Sequence, residues 1–302
     1  EALKSGAISN NGHCVVIDSF GSLWHWKLKS TIDATPLQVY KVEEDLPFFV
    51  SVVVDSTFIF ALDEHGDVWL ASLDDMKFKQ TKGKGIRSIY SSNKQGQCYG
   101  LDSDGFLLNI SDTETSKVNE NLPPLSMFSG GNKSESPNTG VDFDGRVWIW
   151  VRQSDNPKKI DFTTEFIQGA YSEGEIIKIL TESGKIWKYY NDDVIDPLHH
   201  ELPPLITVSV SGSHSIALTE DGEAYGWGSN NSGELGQPGR CLVYASTKIP
   251  DIPPINSAIC GRNCSILIGK EGELLVLRGG IQKIEDIPTA FIRKRSAKSA
   301  RK

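Results

Sequence analysis

The sequence predicts an all-β fold, a seven-bladed β-propeller with short antiparallel blades, and two observations support this prediction. A turn that ends in glycine recurs seven times, at spacings between 38 and 50 residues. Each glycine has an apolar residue four positions before it and an aromatic residue or leucine three positions after it. Units of about 40 residues that hold three or four short strands are typical of propeller blades. The turn glycines are Gly21, Gly66, Gly105, Gly145, Gly184, Gly222 and Gly272.

Each repeat is expected to contain a β-hairpin. In the second repeat, the apolar and aromatic runs at residues 58–62 and 67–70 suit strands, and residues 63–66 form the turn between them. The Asp63 side chain can bond the backbone of this turn, and Gly66 can adopt the positive φ that closes it. The aromatic and leucine residues that follow the turns are expected to pack one blade against the next. They are not expected to form a binding site.

Domain boundaries and ring closure follow from the ends of the repeat. Residues 1–290 are assigned to the propeller and residues 291–302 to a basic tail. Residues 5–9 and residues 289–292 both align with the strand at 206–210, so both compete for one position in the ring. We expect the N-terminal strand to complete the blade that contains the C-terminal strands, because this would remove exposed sheet edges. The first residues lack an initiator methionine and an apolar signal core, so a piece of a longer protein is expected.

The distribution of charge limits the classes of partner. The net charge of −8 divides into +6 for residues 291–302 and −14 for the rest of the chain. An acidic body repels phosphate backbones, so nucleic acid is an unfavourable partner for the propeller. The tail fits either a nuclear-localisation or anionic-surface patch, or a disordered linker. No apolar run reaches the roughly 18 residues of a transmembrane helix.

Cysteine usage bears on the compartment. The five cysteines are odd in number and contain no Cys-x-x-Cys pair, which favours a reducing environment over a disulfide framework. We therefore expect an intracellular protein, cytoplasmic or nuclear, with a secreted microbial protein that acts inside a host cell as the alternative.

Motifs for catalysis, cofactors or metals are not found. Gly226-x-Gly228 lacks the third glycine of a dinucleotide fingerprint. His199 and His200 are adjacent, so on an extended chain they point in opposite directions and do not share one metal ion easily. No catalytic, cofactor-binding or metal-ligating residue is predicted, and no cofactor is expected.

The sixth repeat resembles a known family signature. Residues 211–218 read Ser-Gly-Ser-His-Ser-Ile-Ala-Leu, residues 221–222 are Asp-Gly, and residues 226–236 read Gly-Trp-Gly-Ser-Asn-Asn-Ser-Gly-Glu-Leu-Gly. This segment is similar to the repeat of the regulator of chromosome condensation family. The other repeats keep the apolar and glycine positions but lack the Gly-x-Leu-Gly segment. The resemblance implies a seven-bladed propeller, and the founding member of the family is the guanine-nucleotide exchange factor of the small GTPase Ran.

The resemblance also implies a partner-binding face. In the founding member, one face of the propeller meets the GTPase through the loop that matches residues 211–214. His214 matches the family histidine, although a structural, hydrogen-bonded turn residue is the alternative reading, and His13 stands at the same place in repeat one. The predicted partner-binding residues, from this loop and its equivalents, are His13, Asp55, Glu173, Glu175, His214 and Arg262.

Two classes of function remain open at this point. The first is a regulator, a guanine-nucleotide exchange factor, of a small Ras-like GTPase, which makes or breaks no covalent bond. The second is a non-catalytic scaffold or recruitment domain of a larger multidomain protein. In both cases the partner is a protein and the propeller is expected to be a monomer.

Overall fold

The computed structural model describes most of the chain as strands arranged in seven four-stranded sheets, and contains no helix in the described residues. The fold predicted from the sequence, a seven-bladed β-propeller, is therefore confirmed. The described residues are 5–9, 11–28, 39–42, 45–92, 95–130, 136–160, 165–190, 193–198, 202–237, 239 and 241–284, with 193–198 described as backbone only.

Each blade consists of four consecutive antiparallel strands, from the innermost to the outermost. Blade 1 contains β1 (Ser5–Ile8), β2 (His13–Ile17), β3 (Leu23–Lys27) and β4 (Tyr40–Lys41). Blade 2 contains β5 (Phe49–Val54), β6 (Phe58–Asp63), β7 (Val68–Ser72) and β8 (Lys79–Gln80). Blade 3 contains β9 (Ile86–Ser91), β10 (Gln97–Asp102), β11 (Leu107–Ser111) and β12 (Thr115–Lys117). Blade 4 contains β13 (Leu125–Ser129), β14 (Asn138–Asp142), β15 (Val147–Trp150) and β16 (Lys158–Ile160).

The last three blades repeat this order. Blade 5 contains β17 (Ile167–Glu173), β18 (Ile176–Thr181), β19 (Ile186–Tyr190) and β20 (Asp193–Leu198). Blade 6 contains β21 (Leu205–Val210), β22 (His214–Thr219), β23 (Ala224–Ser229) and β24 (Leu242–Lys248). Blade 7 contains β25 (Ile255–Cys260), β26 (Ser265–Gly269), β27 (Leu274–Leu277) and β28 (Ile281–Lys283).

The predicted mode of ring closure is wrong. β1 pairs with β2 as the innermost strand of its own blade, and blade 7 takes all four strands from residues 255–283. The sequence comparison placed residues 5–9 correctly as a first strand, but that strand opens blade 1 and does not complete blade 7. Residues 289–292, the competing segment, lie outside the described residues. The boundary between the propeller at 1–290 and the tail at 291–302 also lies there and stays a prediction.

Side-chain packing between blades forms the core. The buried apolar residues of the described chain fall into seven clusters, one at each junction between neighbouring blades. At the closing junction, Trp24 and Trp26 of blade 1 pack with Cys264, Ile266 and other apolar residues of blade 7. This cluster closes the ring without a shared sheet. The prediction that the aromatic positions pack blade against blade is confirmed.

In three blades, the turn between the second and third strands also holds a tryptophan by a side-chain hydrogen bond, which the sequence did not indicate. In blade 2, Asp63 Oδ1 accepts the backbone N–H groups of His65 and Asp67, both at 2.9 Å, as predicted for the turn. The second oxygen of Asp63 accepts the indole N–H of Trp69 at 2.9 Å. The same pair recurs as Asp18 with Trp24 and as Asp142 with Trp148. One aspartate thus fixes both the turn and the aromatic residue of the blade.

The turn glycines are required for two reasons. All seven have positive φ, between +75° and +97°, which confirms the predicted turn conformation. In blades 1 to 6 they also lie against the next blade: a Cβ atom on Gly222, for example, would stand 2.8 Å from the backbone nitrogen and oxygen of Ile255. The backbone N–H of Ile255 donates to the carbonyl of Gly222 at 2.8 Å. The turn therefore also joins adjacent blades.

In the part of the chain that the structure describes, no helix has the length and apolar character needed to cross a membrane.

Candidate partner-binding face

The connections between first and second strands open on one face of the disc, because consecutive strands of each blade alternate in direction. We call this the loop face, and the opposite face, with the seven glycine turns, the turn face. The six predicted residues all lie at or beside such connections, in five blades. His13 is in blade 1, Asp55 in blade 2, Glu173 and Glu175 in blade 5, His214 in blade 6 and Arg262 in blade 7.

A cavity of about 1010 Å³ lies at the centre of the loop face. Its wall is formed by the ends of the first strands, with apolar or aromatic residues such as Val53, Met127 and Tyr171. Its rim is formed by the connections, which supply serine, asparagine and glutamine side chains, among them Ser213 and Asn263. Of the six predicted residues, Asp55 and Arg262 line this cavity.

Asp55 orders its own loop. Its Oδ1 accepts the backbone N–H groups of Thr57 at 2.6 Å and Phe58 at 2.7 Å. Its Oδ2 accepts the N–H of Gly96 in blade 3 at 3.0 Å. Three donors therefore satisfy the carboxylate, and Asp55 links two loops of the face. Ser211 occupies the equivalent place in blade 6 and accepts the N–H groups of Ser213 and His214.

His214 has no exposed surface. Its Nε2 lies 2.7 Å from Ser265 Oγ in blade 7, and its Nδ1 lies 3.0 Å from Ser211 Oγ. Ser265 donates its own proton to the carbonyl oxygen of Glu234, so its Oγ accepts the Nε2–H of His214. Burial lowers the pKa of His214 to about 4, so the ring is neutral at pH 7. This geometry matches the alternative reading of His214, a structural residue that joins blades 6 and 7.

The Gly-x-Leu-Gly segment that marks the sixth repeat belongs to the same junction. Glu234 is 1% exposed, and its two carboxylate oxygens accept the Oγ–H of Ser229 at 2.7 Å and the N–H of Ser232 at 2.6 Å. The carbonyl of Ser232 accepts the N–H of Gly279 in blade 7 at 2.7 Å. The segment is therefore a brace between two blades.

Glu173 is engaged by a residue that the sequence analysis missed. Lys178 on β18 is 3% exposed and forms an ion pair with Glu173. Its ammonium also donates to Ser215 Oγ at 2.6 Å and lies 4.9 Å from the ring centre of Trp227 in blade 6. Burial lowers the pKa of Lys178, while the Glu173 carboxylate raises it and partly offsets that effect. The feature of the sequence that indicates this buried lysine is its position within the otherwise apolar run 176–180.

His13 also has a close partner. The His13 and His25 rings are stacked with centres 5.2 Å apart, and His13 Nδ1 lies 2.9 Å from His25 Nε2. Burial, then the neighbouring His13 and Lys27, lower the pKa of His25 to about 4. The pKa of His13 is also lowered, mainly by burial. The pair therefore presents an uncharged, half-buried edge at neutral pH.

Glu175 and Arg262 are the two predicted residues that are both charged and exposed. Arg262 makes no ion pair with any residue in the described ranges. The other exposed side chains that the structure describes in these connections are neutral, for example Asn11, Ser56 and Gln95. The connections between third and fourth strands, farther from the centre, carry exposed charges of both signs, among them Asp74, Asp75, Lys77, Glu114 and Arg152. In the described part of the inner connections, Arg262 is the exposed cation.

No group of three or more potential metal ligands occurs among the residues that the structure describes. His199 and His200 lie outside them. The loop face thus consists of polar loops, braced by hydrogen bonds within and between blades, around an open cavity.

Comparison with known proteins finds a family match in blades 6 and 7. Residues 206–234 and 221–268 match two profiles of the regulator of chromosome condensation (RCC1) repeat. "BTB/POZ domain-containing protein 1" of Schizosaccharomyces pombe is 34% identical over 197 residues, 57% of this chain and 14% of that protein. "Guanine nucleotide exchange factor SRM1" of Saccharomyces cerevisiae is 21% identical over 277 residues, 74% of this chain and 55% of that protein.

Solved structures share the fold. Human WBSCR16 superposes with a TM-score of 0.71 at 12% identity, over 89% of this chain and 88% of that one. Prp20p from Saccharomyces cerevisiae gives a TM-score of 0.52 at 15% identity, over 94% and 77% of the two chains. The chain spans between 14% and 55% of the length of the curated relatives it matches.

The fold and the loop face define a seven-bladed propeller whose ordered loops surround a central cavity. Residues 206–268 match models of the regulator of chromosome condensation repeat, so the resemblance seen in the sixth repeat is confirmed.

Proposed function

We propose that the chain is a protein-interaction propeller whose loop face binds a small Ras-like GTPase and promotes release of its nucleotide. The observation that carries this proposal is the loop face itself, where residues from all seven blades line one cavity. Rigid loops lower the entropy cost of association, so such a face suits a partner site. Similarity to a protein named a guanine-nucleotide exchange factor extends over 277 residues.

Exchange activity of this kind requires no catalytic residue. A protein that binds the nucleotide-free GTPase more tightly than the loaded form weakens nucleotide binding by the same factor. The exposed acids of the loop face suit a partner whose nucleotide site contains lysine, because carboxylates can compete with phosphate for that cation. Prp20p, a structural neighbour, has been described with its binding to Gsp1p and histones.

One strand supplies a matched pair of variants for the test. Glu175 lies directly before β18 on the loop face and Glu182 directly after it on the turn face, and both are exposed. We expect Glu175→Lys to weaken binding about fivefold, the effect of roughly 1 kcal/mol at an exposed charge. Glu182→Lys should bind as wild type does. Binding and release of a fluorescent GDP analogue are measured against Ran-, Rho-, Rab- and Arf-type GTPases.

Two outcomes would count against the proposal. A GTPase that binds both variants as tightly as wild type does not use the loop face. If no GTPase in the panel binds or releases its nucleotide faster, the exchange function is contradicted.

A second function, a recruitment domain within a longer protein, is favoured by one observation. The relative with 34% identity is a BTB/POZ protein of which the matched region is only 14%. In that case the loop face would bind a partner without changing nucleotide release. The same assay separates the two functions, because it measures binding and release independently.

A further inference from the structure

The central cavity of the loop face has a charge pattern that selects its ligand. Asp55 and Arg262 are its charged lining residues among those described. The Asp55 carboxylate already accepts three backbone N–H groups, so its charge is compensated within the loops. Arg262 is exposed and has no acidic partner in the described chain. The cavity therefore offers one uncompensated cation in a propeller whose residues 1–290 carry a net charge of −14.

The lining combines polar and apolar groups. Hydroxyl and amide groups of Ser56, Gln95, Ser213 and Asn263 lie at the rim. The wall below them contains apolar and aromatic side chains from the ends of the first strands, such as Val53, Met127 and Tyr171, together with serines such as Ser172 and Ser209. A concave site with both kinds of group at defined positions suits a short peptide or a small molecule.

From this arrangement we infer that the cavity is the anchor site for an acidic side chain of the protein partner, flanked by apolar residues. The carboxylate of a partner Asp or Glu pairs with the Arg262 guanidinium, and rim hydroxyls and amides donate to its remaining lone pairs. The flanking apolar side chains bury against the wall. This inference rests on the proposed role of the loop face as the partner site and adds the chemistry that the partner must present.

The size of the cavity agrees with such an occupant. A volume of about 1010 Å³ matches the upper range of small-ligand pockets and holds a few residues of an extended segment.

Three peptides test the inference directly. They are fluorescein-labelled hexapeptides with the sequence Ser-Gly-Leu-X-Leu-Ser, in which X is glutamate, glutamine or lysine. Fluorescence anisotropy should show saturable binding of the glutamate peptide, about tenfold weaker binding of the glutamine peptide and none of the lysine peptide. Binding should weaken as salt is raised.

Arginine variants provide the control and a charge swap. Arg262→Gln should lower the affinity of the glutamate peptide about tenfold. Arg152→Gln, at an exposed arginine on the same face but outside the cavity lining, should leave it unchanged. Arg262→Glu should reverse the preference and bind the lysine peptide. Circular dichroism melts confirm that each variant is folded.

The outcomes separate this inference from the proposed function. Failure of the glutamate peptide to bind at millimolar concentration overturns the inference, as does equal loss in the Arg262 and Arg152 variants. If the GTPase assay still shows the loss for Glu175→Lys, the loop face remains the partner site without an acidic anchor. If Arg262→Gln weakens the peptide but no GTPase responds, the anchor stands and the exchange function falls.

Discussion

Replacing Glu173 with glutamine removes the counter-charge of Lys178, which is 3% exposed. Removing one partner of a buried ion pair typically costs about 3–5 kcal/mol, because the other charge stays buried. Here Ser215 and the Trp227 ring still contact the ammonium. We therefore expect a loss nearer 3 kcal/mol in the free energy of unfolding. For a chain of 302 residues that loss lowers Tm by roughly 5 °C.

The pH dependence of stability provides a second, independent test of this prediction. Without Glu173, the folded-state pKa of Lys178 falls further below its unfolded value, because burial is no longer opposed. Between those two pKa values the unfolded chain binds more protons than the folded one, so stability rises with pH. The deficit of the Glu173→Gln variant should therefore shrink between pH 7 and pH 9.5.

Urea denaturation followed by tryptophan fluorescence measures both effects. Glu175→Gln, two residues away and exposed, is the control and should change stability by less than about 0.5 kcal/mol. A second variant, Glu173→Gln with Lys178→Met, should recover most of the loss, since the stranded charge is gone. Equal stability of the Glu173 and Glu175 variants would refute a buried ion pair. A charge reversal at Glu173 is, for the same reason, unsuitable as a probe of binding alone.

Two further predictions concern blade junctions. Gly222→Ala should destabilise the chain by about 1–3 kcal/mol more than Gly239→Ala, as measured by thermal melts. The two glycines have nearly the same φ, +88° and +87°, but only Gly222 contacts the next blade. Equal losses of stability in the two variants would mean that backbone strain, and not contact with the next blade, causes the destabilisation. In the His214→Gln variant, the free energy of unfolding should fall less steeply than in wild type as the pH is lowered below 7. Wild type should lose roughly 2–3 kcal/mol through His214 between pH 7 and 4.5, because its pKa is about 4 folded and near 6.5 unfolded. Parallel urea profiles of the two proteins would contradict this.

The fold was predictable because its signals are local and repeated. A turn glycine, an apolar residue and an aromatic residue recur at fixed offsets, and each of these positions packs or turns in the predicted way, as at Gly66 and Trp69. Ring closure was not predictable from the same signals. Residues 5–9 align with the strand at 206–210, and alignment alone does not tell which blade such a strand joins. The pairing of β1 with β2 requires only a short connection.

The candidate site was predictable in location but not in chemistry. The offset from each turn glycine placed six residues at one kind of connection, and the blades bring those connections to one face. Whether a side chain is free depends on contacts across blades, which spacing along the chain does not reveal. Asp55 bonds to Gly96, 41 residues away, and His214 to Ser265, 51 residues away. Only Glu175 and Arg262 keep an exposed charge.

Closure by packing alone has a mechanical consequence. Because every blade is contiguous in sequence, a peptide linker spans each of the six other junctions, whereas among the described residues only side-chain packing joins blade 7 to blade 1. We call this junction the seam. The ring is closed there without a peptide linker, so blades 7 and 1 should separate more easily than any other pair of neighbouring blades. Arg262 stands on one side of the seam and Asn11 on the other. A partner that binds both residues would hold the two blades together, and the ring would resist opening more strongly while the partner is bound.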